Sequence, residues 1–323
     1  MTCSKKTILI SLVIIESFLG IIFLNNYYQK RILGINNVTV INKEDTTTIQ
    51  SDDLKYYWNF LPNTIQEENP NWLSEKVFYH INNDTLNDRF DYPIKKTEKT
   101  YRIITLGDSF TYGQYVKTQE NWTEKLEDLL NSSLSNCDYD KFEVINLGMP
   151  GYDVQYIVQR YQDIGAKYNP DLIVWFESDS GFNRFNELMG PSIKICDNDN
   201  LNNDPEFYST QKVYKCWRDA EEKIFEENTI EHLDGILEKS FESFFKIADQ
   251  NKTIFFYYDN AWDRKDKIIN KLRTQYGGVD FITSISETPN YERFVDGHPN
   301  IEGHRSLSQV FFNHLKKRIG CFE

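Results

Sequence analysis

The 323-residue sequence predicts an α/β fold in which a parallel sheet carries helices on both faces. From Tyr101 onward, short apolar runs alternate with longer segments, and the runs are continuously apolar, as in strands that are buried on both faces. The longer segments repeat their apolar residues at helical spacing. Such alternation of strand and helix indicates right-handed βαβ units, and therefore strands that run parallel.

Four apolar runs are predicted to be strands, and a fifth strand is predicted near Phe281. The four runs read YRIITLG, FEVINLG, DLIVWFE and TIFFYYD. Helices are predicted in ENWTEKLEDLLNSSL and at residues 154–168 and 301–319, where apolar side chains recur on one face. The long segment at residues 219–250 is also expected to be helical. A polar insertion at about residues 190–217 is expected to lie over one end of the sheet.

Composition and charge exclude two broad classes of protein. The hydrophobic fraction of 40% is large enough to bury a core, which argues against a disordered chain. Acidic residues outnumber basic ones by 49 to 36, so the formal net charge is −13. Nucleic-acid binding needs a basic face, and we therefore expect no nucleic-acid partner.

The N-terminus has the pattern of a membrane anchor. Lys5 and Lys6 precede an apolar run from Thr7 to Leu24, which as a helix would span about 27 Å, close to the thickness of a bilayer core. No small-residue cleavage site follows, which favours an uncleaved single span within residues 1–29 over a signal peptide. Residues 30–98 then read as a polar stalk followed by an extension that packs on the main domain, residues 99–323.

Cysteine positions suggest the compartment of the main domain. Four of the five cysteines follow the predicted span, and an even number there is typical of a disulfide-permissive, extracytoplasmic compartment. Cys196 and Cys216 bracket the polar insertion and are the predicted disulfide pair. The alternative is that the four cysteines remain unpaired thiols.

A serine lies where the first predicted strand ends. In a parallel α/β sheet, reactive groups gather at the carboxyl ends of the strands, where Gly107-Asp108-Ser109 is expected. Gly107 permits a tight turn, and the N–H groups that lead into the next helix suit an oxyanion. Ser109 can be a nucleophile only if a base activates it. Otherwise the motif is a helix cap.

The candidate base lies close to the C-terminus, in VDGHPNIEGHR. Imidazole titrates near neutral pH and therefore suits proton transfer, and His298 follows Asp296 by two residues. A carboxylate at that spacing can fix the tautomer of the ring and stabilise its charged form. His304, six residues further on, is expected to be structural.

Further donors for an oxyanion are expected at the ends of the second and third strands. Gly151 lies in NLGMPGYD after the second strand and would offer its N–H group. Ser178 or Asn183, in FESDSGFN after the third strand, would offer a side-chain donor.

Together these motifs resemble the SGNH/GDSL hydrolase superfamily over roughly Tyr101 to the C-terminus. The resemblance implies a three-layer α/β/α, flavodoxin-like fold with a sheet of about five parallel strands. It also implies that Ser109 is the nucleophile, His298 the base and Asp296 the orienting acid. The N–H groups of Ser109 and Gly151 would form the oxyanion hole. The chain departs from the family pattern in having Ser178 where the third block has asparagine, and Asp-X-His where Asp-X-X-His is commoner.

The resemblance implies a serine esterase that needs no cofactor or metal and forms an acyl-enzyme. With the predicted anchor, we expect its substrate to be an acyl group, foremost acetyl, on a cell-envelope glycan or a similar ester. An O-acetyltransferase would use the same residues, and a glycan-binding domain without turnover is a further alternative. An α/β-hydrolase is disfavoured because Thr111 replaces the last glycine of Gly-X-Ser-X-Gly. Five histidines, mostly isolated, do not supply the ligands of a metal-dependent phosphoesterase.

Overall fold

The computed structural model describes residues 40–41, 47–48, 54–135, 137–178, 181–201, 213–257, 263–282 and 292–322. No helix within these ranges is both long and apolar enough to cross a membrane. The predicted span at residues 7–24 lies outside them.

The centre of the fold is a sheet of five parallel strands, which confirms the sheet predicted from the sequence. In chain order its strands are β6 (Thr100–Gly107), β7 (Lys141–Asn146), β8 (Leu172–Glu177), β9 (Thr253–Tyr257) and β10 (Asp280–Ile282). Across the sheet they are arranged β10-β9-β8-β6-β7. The chain reverses direction across the sheet between β7 and β8, which lie on opposite sides of β6. A crevice at the carboxyl ends of strands forms at such a switch.

Eight α-helices are described in the ranges above. They are α1 (Ser109–Tyr112), α2 (Trp122–Ser132), α3 (Val154–Arg160), α4 (Asn186–Leu201), α5 (Val213–Glu227), α6 (Ile230–Phe245), α7 (Asp263–Gln275) and α8 (Ile301–Ile319). The predicted helix at 154–168 continues beyond α3 as a π turn and a 3₁₀ turn (Tyr161–Gly165, Ala166–Tyr168). The predicted segment at 219–250 is divided between α5 and α6.

The sheet separates two apolar cores, because successive strand residues point to opposite faces. Ile103 packs with side chains of α2 and α8 on one face, among them Leu126 and Phe311. Ile104 belongs to the core on the other face, which contains side chains of α3, α6 and α7. Both faces are therefore covered by helices, which explains why the strands read as continuous apolar runs.

The segment before β6 packs on the main domain. Its strands are β1 (Val40–Ile41), β2 (Thr47–Thr48), β3 (Trp58–Asn59), β4 (Thr64–Glu68) and β5 (Val77–Ile81). β4 and β5 form an antiparallel hairpin, and β1 pairs parallel with β4. Leu54, Tyr57 and Phe60 are buried in the same core as Ile104. The hairpin is thereby placed against the loops that follow the central strands.

Two disulfides lie within the described residues. Cys196 in α4 is bonded to Cys216 in α5, which is the pair predicted from the sequence. Cys137 is bonded to Cys321, so that the loop after α2 is tied to the chain beyond α8.

Buried carboxyl groups line the outer edge of β7. The carboxylate of Asp88 accepts the N–H of Asn146 at 3.2 Å, and that of Glu127 accepts the N–H of Val144 at 2.7 Å. The Tyr92 hydroxyl lies 3.0 Å from Asp88 and 3.1 Å from Glu127. Burial, and then the charge of Glu127, raises the pKa of Asp88 to about 7. Burial also raises the pKa of Glu127.

These raised pKa values predict that the free energy of unfolding falls as the pH rises towards 7. The folded protein holds protons that the unfolded chain releases, so this stabilisation is present in acid and is lost as the pH passes the folded pKa of Asp88, about 7. One proton contributes a slope of at most about 1.4 kcal/mol per pH unit. Glu127→Gln removes the neighbouring charge, so urea unfolding at pH 5 and 7.5 should show a smaller pH dependence than wild type. If the free energy of unfolding of Glu127→Gln depended on pH as strongly as that of wild type, the prediction would be contradicted.

Candidate active site

Ser109 lies at the turn that joins β6 to α1. A Cβ atom at Gly107 would lie 2.2 Å from Thr111 Oγ1 and 2.4 Å from the carbonyl oxygen of Phe176, so only glycine fits there. Asp108 is the N-cap of α1, and its carboxylate accepts the N–H of Phe110 at 3.0 Å. Ser109 follows as the first helical residue and is 6% exposed. The strand end, the glycine and the cap thus determine where its hydroxyl lies.

His298 lies in a tight turn just before α8. The N–H of Phe294 donates to the carbonyl oxygen of His298 at 2.8 Å, and the N–H of Gly297 donates to that of Phe294 at 3.0 Å. Asn300 caps α8 by accepting the N–H of Gly303 at 3.0 Å. The turn is therefore held by its own backbone and by the start of the helix.

The structure brings Ser109, His298 and Asp296 together although 189 positions separate the serine from the histidine. Ser109 Oγ lies 2.8 Å from His298 Nε2, and His298 Nδ1 lies 2.9 Å from Asp296 Oδ2. The other carboxylate oxygen accepts the backbone N–H of His298 at 3.2 Å. Asp296 therefore holds both the ring and the backbone of the histidine, which explains how the two-residue spacing can work. The side chains of His298 and Asp296 are 12% and 4% exposed.

Two aromatic rings hold the imidazole in place. The ring centroids of Phe110 and His298 are 5.1 Å apart. The centroids of Tyr115 and His298 are also 5.1 Å apart, and these two rings make an edge-to-face contact with an angle of 87° between them. Tyr115 has a left-handed backbone, with φ of 71°. A bulky residue rarely adopts that conformation unless its surroundings impose it.

The β4–β5 hairpin holds Tyr115 in this conformation. The Tyr79 hydroxyl accepts the N–H of Tyr115 at 2.8 Å and donates to Glu68 at 2.6 Å. The other oxygen of Glu68 accepts the side-chain amide of Gln114 at 2.9 Å. Sequence reasoning missed these residues, because nothing in a local pattern indicates that the hairpin reaches the triad.

Tyr79→Phe is expected to lower kcat by about 3- to 10-fold with little change in KM. The substitution removes the hydroxyl that accepts the buried N–H of Tyr115, and an unsatisfied buried donor costs about 1–3 kcal/mol of stability. The Tyr115 ring, which holds His298, is then positioned less firmly, and the reaction slows. Kinetics with a small ester would measure the effect on folded protein, verified by circular dichroism. Tyr168→Phe is the matched control, since its hydroxyl bonds Asp84 instead. An equal loss of kcat in both variants would contradict the prediction.

Two of the predicted oxyanion donors are backbone N–H groups, those of Ser109 and Gly151. Ser109 is the first residue of α1, a position whose N–H has no partner within the helix. The loop after β7 lies against this turn, because the N–H of Met149 donates to the carbonyl of Gly107 at 3.2 Å. In the same loop Gly151 has φ of 75°, and its carbonyl accepts the Asn186 side-chain amide at 2.9 Å.

Ser178 and Asn183 were the candidate side-chain donors. The Ser178 hydroxyl donates to the carboxylate of Asp108, so it supports the N-cap beside the serine. Asn183 is buried, with 6% of its surface exposed. Asp179 and Ser180, between them, lie outside the described residues.

Glu177 is a buried carboxyl that sequence reasoning did not single out. It ends β8, and the indole N–H of Trp175 donates to it at 2.9 Å. Burial, and then the charge of Asp108, holds its pKa well above the usual value.

His304 is buried in α8 behind this site. The N–H of Trp122 donates to its Nδ1 at 3.3 Å, and burial lowers the pKa of His304 to about 3. The neutral imidazole of His304 therefore accepts the N–H of the first residue of α2, which agrees with the structural role expected for this histidine. Within the described ranges, no three His, Cys, Asp or Glu side chains are grouped so as to hold a metal ion.

No family model matches the chain, and a comparison with curated proteins found no match. Solved structures do match it. The lipase/acylhydrolase from Enterococcus faecalis is 14% identical, with a TM-score of 0.44, over 68% of this chain and 96% of that one.

Two further matches are esterases. A catalytic mutant of an acetylxylan esterase from Geobacillus stearothermophilus is 14% identical, with a TM-score of 0.41, over 69% of this chain and 95% of that one. A two-domain esterase active on acetylated mannans is 16% identical, with a TM-score of 0.40, over 68% of this chain and 49% of that one. The chain thus spans about half the length of that esterase. Each of these proteins to which the chain is similar is, by its description, a lipase or an esterase.

Proposed function

We propose that this chain is a serine ester hydrolase of the SGNH/GDSL type. The observation that carries the proposal is the relay from Ser109 through His298 to Asp296, with hydrogen-bond distances of 2.8 and 2.9 Å. A serine at a strand end, joined to an imidazole that is itself oriented by a carboxylate, is the arrangement that nucleophilic acyl transfer requires.

The first half of the reaction forms an acyl-enzyme. His298 keeps its Nδ1 proton, which is hydrogen-bonded to Asp296. Its Nε2 accepts the Ser109 proton while Oγ attacks the ester carbonyl. The tetrahedral oxyanion accepts the N–H groups of Ser109 and Gly151. The bond from carbon to the alcohol oxygen then breaks, and the imidazolium gives its proton to that oxygen, so that the alcohol leaves neutral.

Water completes the cycle. It attacks the acyl carbon while His298 takes one of its protons, and the oxyanion forms again at the same donors. The bond to Ser109 Oγ breaks, Oγ recovers the proton from the imidazolium, and the carboxylic acid leaves. Asp296 stays ionised and stabilises the charged ring in both halves.

The proposed substrate is an acyl group, foremost acetyl, on a cell-envelope glycan. Support comes from the motif resemblance and from the predicted span at residues 7–24, which would place the domain at the membrane. We further propose that the protein is a single-pass membrane protein with an extracytoplasmic domain. The predicted span supports the membrane location, and the even number of cysteines beyond it supports the compartment.

The test compares wild type with Ser109→Ala. Wild type is expected to react with a fluorophosphonate probe and to release acetate from O-acetylated polysaccharides, whereas Ser109→Ala does neither. Absence of labelling in folded wild type would overturn the proposal and favour a glycan-binding domain without turnover. Adding an acceptor sugar distinguishes a transferase, which would form a new acetylated sugar at the expense of free acetate.

A further inference from the structure

We propose that Trp72 forms a binding surface for the alcohol part of the ester, and that this alcohol is a pyranose ring. The inference rests on the proposed hydrolase function and names the part of the substrate that the extension before β6 would recognise.

Trp72 lies in the loop between β4 and β5 and is separated from His298 by the ring of Tyr115. Its centroid is 4.7 Å from that of Tyr115, in an edge-to-face contact, and 5.6 Å from that of Phe294. Tyr115 packs directly on His298, and Phe294 belongs to the same turn as His298. The rings of Trp72, Tyr115 and Phe294, here called the tryptophan surface, thus border one side of the imidazole.

The chemistry assigns this side to the alcohol. His298 Nε2 protonates the departing oxygen and must therefore lie within about 2.6–3.2 Å of it. The carbon skeleton on that oxygen extends over the side chains around the imidazole. The oxyanion glycine is bordered by other rings, since a Cβ at Gly151 would lie 3.4 Å from Trp217 and 3.6 Å from Trp58. The tryptophan surface therefore lies beside the histidine, whereas Trp58 and Trp217 lie beside Gly151.

The exposure of the tryptophan surface favours a sugar over an alkyl chain. Trp72 and Phe294 are only partly buried, and the neighbouring Val295 is 76% exposed. Glu75 and Lys117, which lie close to Trp72 and Tyr115 in the chain, are 3.9 Å apart and partly exposed. A pyranose has an apolar C–H face that can lie on a flat ring and hydroxyls at its edge that reach polar groups. Specific pockets combine aromatic walls with a few polar groups in this way.

The experiment measures kcat/KM for three kinds of acetate ester. Ethyl acetate has a two-carbon alcohol, hexyl acetate has an alkyl chain, and mono-O-acetylated methyl glycosides of glucose, xylose and N-acetylglucosamine carry a pyranose. Trp72→Ala is expected to lower kcat/KM for the best glycoside by about 5- to 10-fold more than for ethyl acetate, mainly through KM, because any loosening of Tyr115 affects both esters alike. Trp72→Phe should recover part of the loss.

Phe78→Ala is the matched control, because Phe78 is a 44% exposed aromatic on the same hairpin and is expected to leave all three esters unchanged. Three outcomes would overturn the inference: equal loss on ethyl acetate and glycoside, no loss on either, or hexyl acetate turned over faster than every glycoside. Failure of the hydrolase proposal itself is distinct, since wild type would then hydrolyse no ester and take up no fluorophosphonate.

Discussion

Replacing His298 with alanine is expected to lower kcat by about 10⁴- to 10⁶-fold, as much as replacing Ser109. The hydroxyl of Ser109 has its proton acceptor 2.8 Å away at Nε2, and without the imidazole it stays a weak nucleophile. The two residues act as one unit, so the double variant Ser109→Ala/His298→Ala should be no slower than either single one. Hydrolysis of ethyl acetate, followed by acid release, measures all three variants.

The control for this prediction is His232→Ala, which removes an exposed histidine of α6 and should leave kcat unchanged. Activity in His298→Ala within tenfold of wild type would show that another group takes the serine proton. Losses that multiply in the double variant would show that the two residues act separately.

Arg102→Ala is expected to lower the free energy of unfolding by about 3–5 kcal/mol. Arg102 lies in β6 with no exposed surface, and its guanidinium contacts the carboxylate of Glu143 at 2.7 Å. It also donates to the carbonyls of Pro93, Ile94 and Tyr168 at 2.9–3.1 Å. Alanine would leave a buried carboxylate and three carbonyls without this donor. The midpoint of urea unfolding, followed by tryptophan fluorescence, measures the loss.

A surface pair serves as the control for Arg102. Arg305 and Glu302 form an ion pair on α8 with side chains 61% and 50% exposed. Arg305→Ala should change the free energy of unfolding by less than about 1 kcal/mol, because water solvates both partners after the change. A change in the free energy of unfolding as small for Arg102→Ala as for Arg305→Ala would contradict the prediction. It would mean that Lys141, which lies 3.2 Å from Glu143, compensates for the lost charge.

Four strands of the central sheet, β6 to β9, could be predicted because they are buried on both faces. That burial forces a continuous apolar run, which a local pattern reveals in YRIITLG as clearly as in DLIVWFE. The triad could be predicted because its chemistry restricts residue types. The serine ends a strand, and the acid and base are two residues apart in one turn. Each half of the site is therefore encoded locally, and the resemblance to a family joined the halves.

Contacts between segments far apart in the chain could not be predicted in this way. No local pattern indicates that Cys137 bonds Cys321, or that the Ser178 hydroxyl turns to Asp108. The same is true of the hydrogen bond from Tyr115 to Tyr79. Such pairs depend on how loops and the hairpin dock on the sheet. Many sequences satisfy the same docking, so single residues carry little signal.

The sequence by itself determined the order of strands and helices, the strand end that presents Ser109 and the short turn that holds His298 beside Asp296. It could do so because periodic burial and turn chemistry act over a few residues. Only the tertiary structure decided that the β4–β5 hairpin reaches the ring packed on His298, with Tyr79 holding Tyr115 and Trp72 packing beside it. The physical reason is that these contacts arise from packing between surfaces, where shape and hydrogen-bond partners are set by the whole fold.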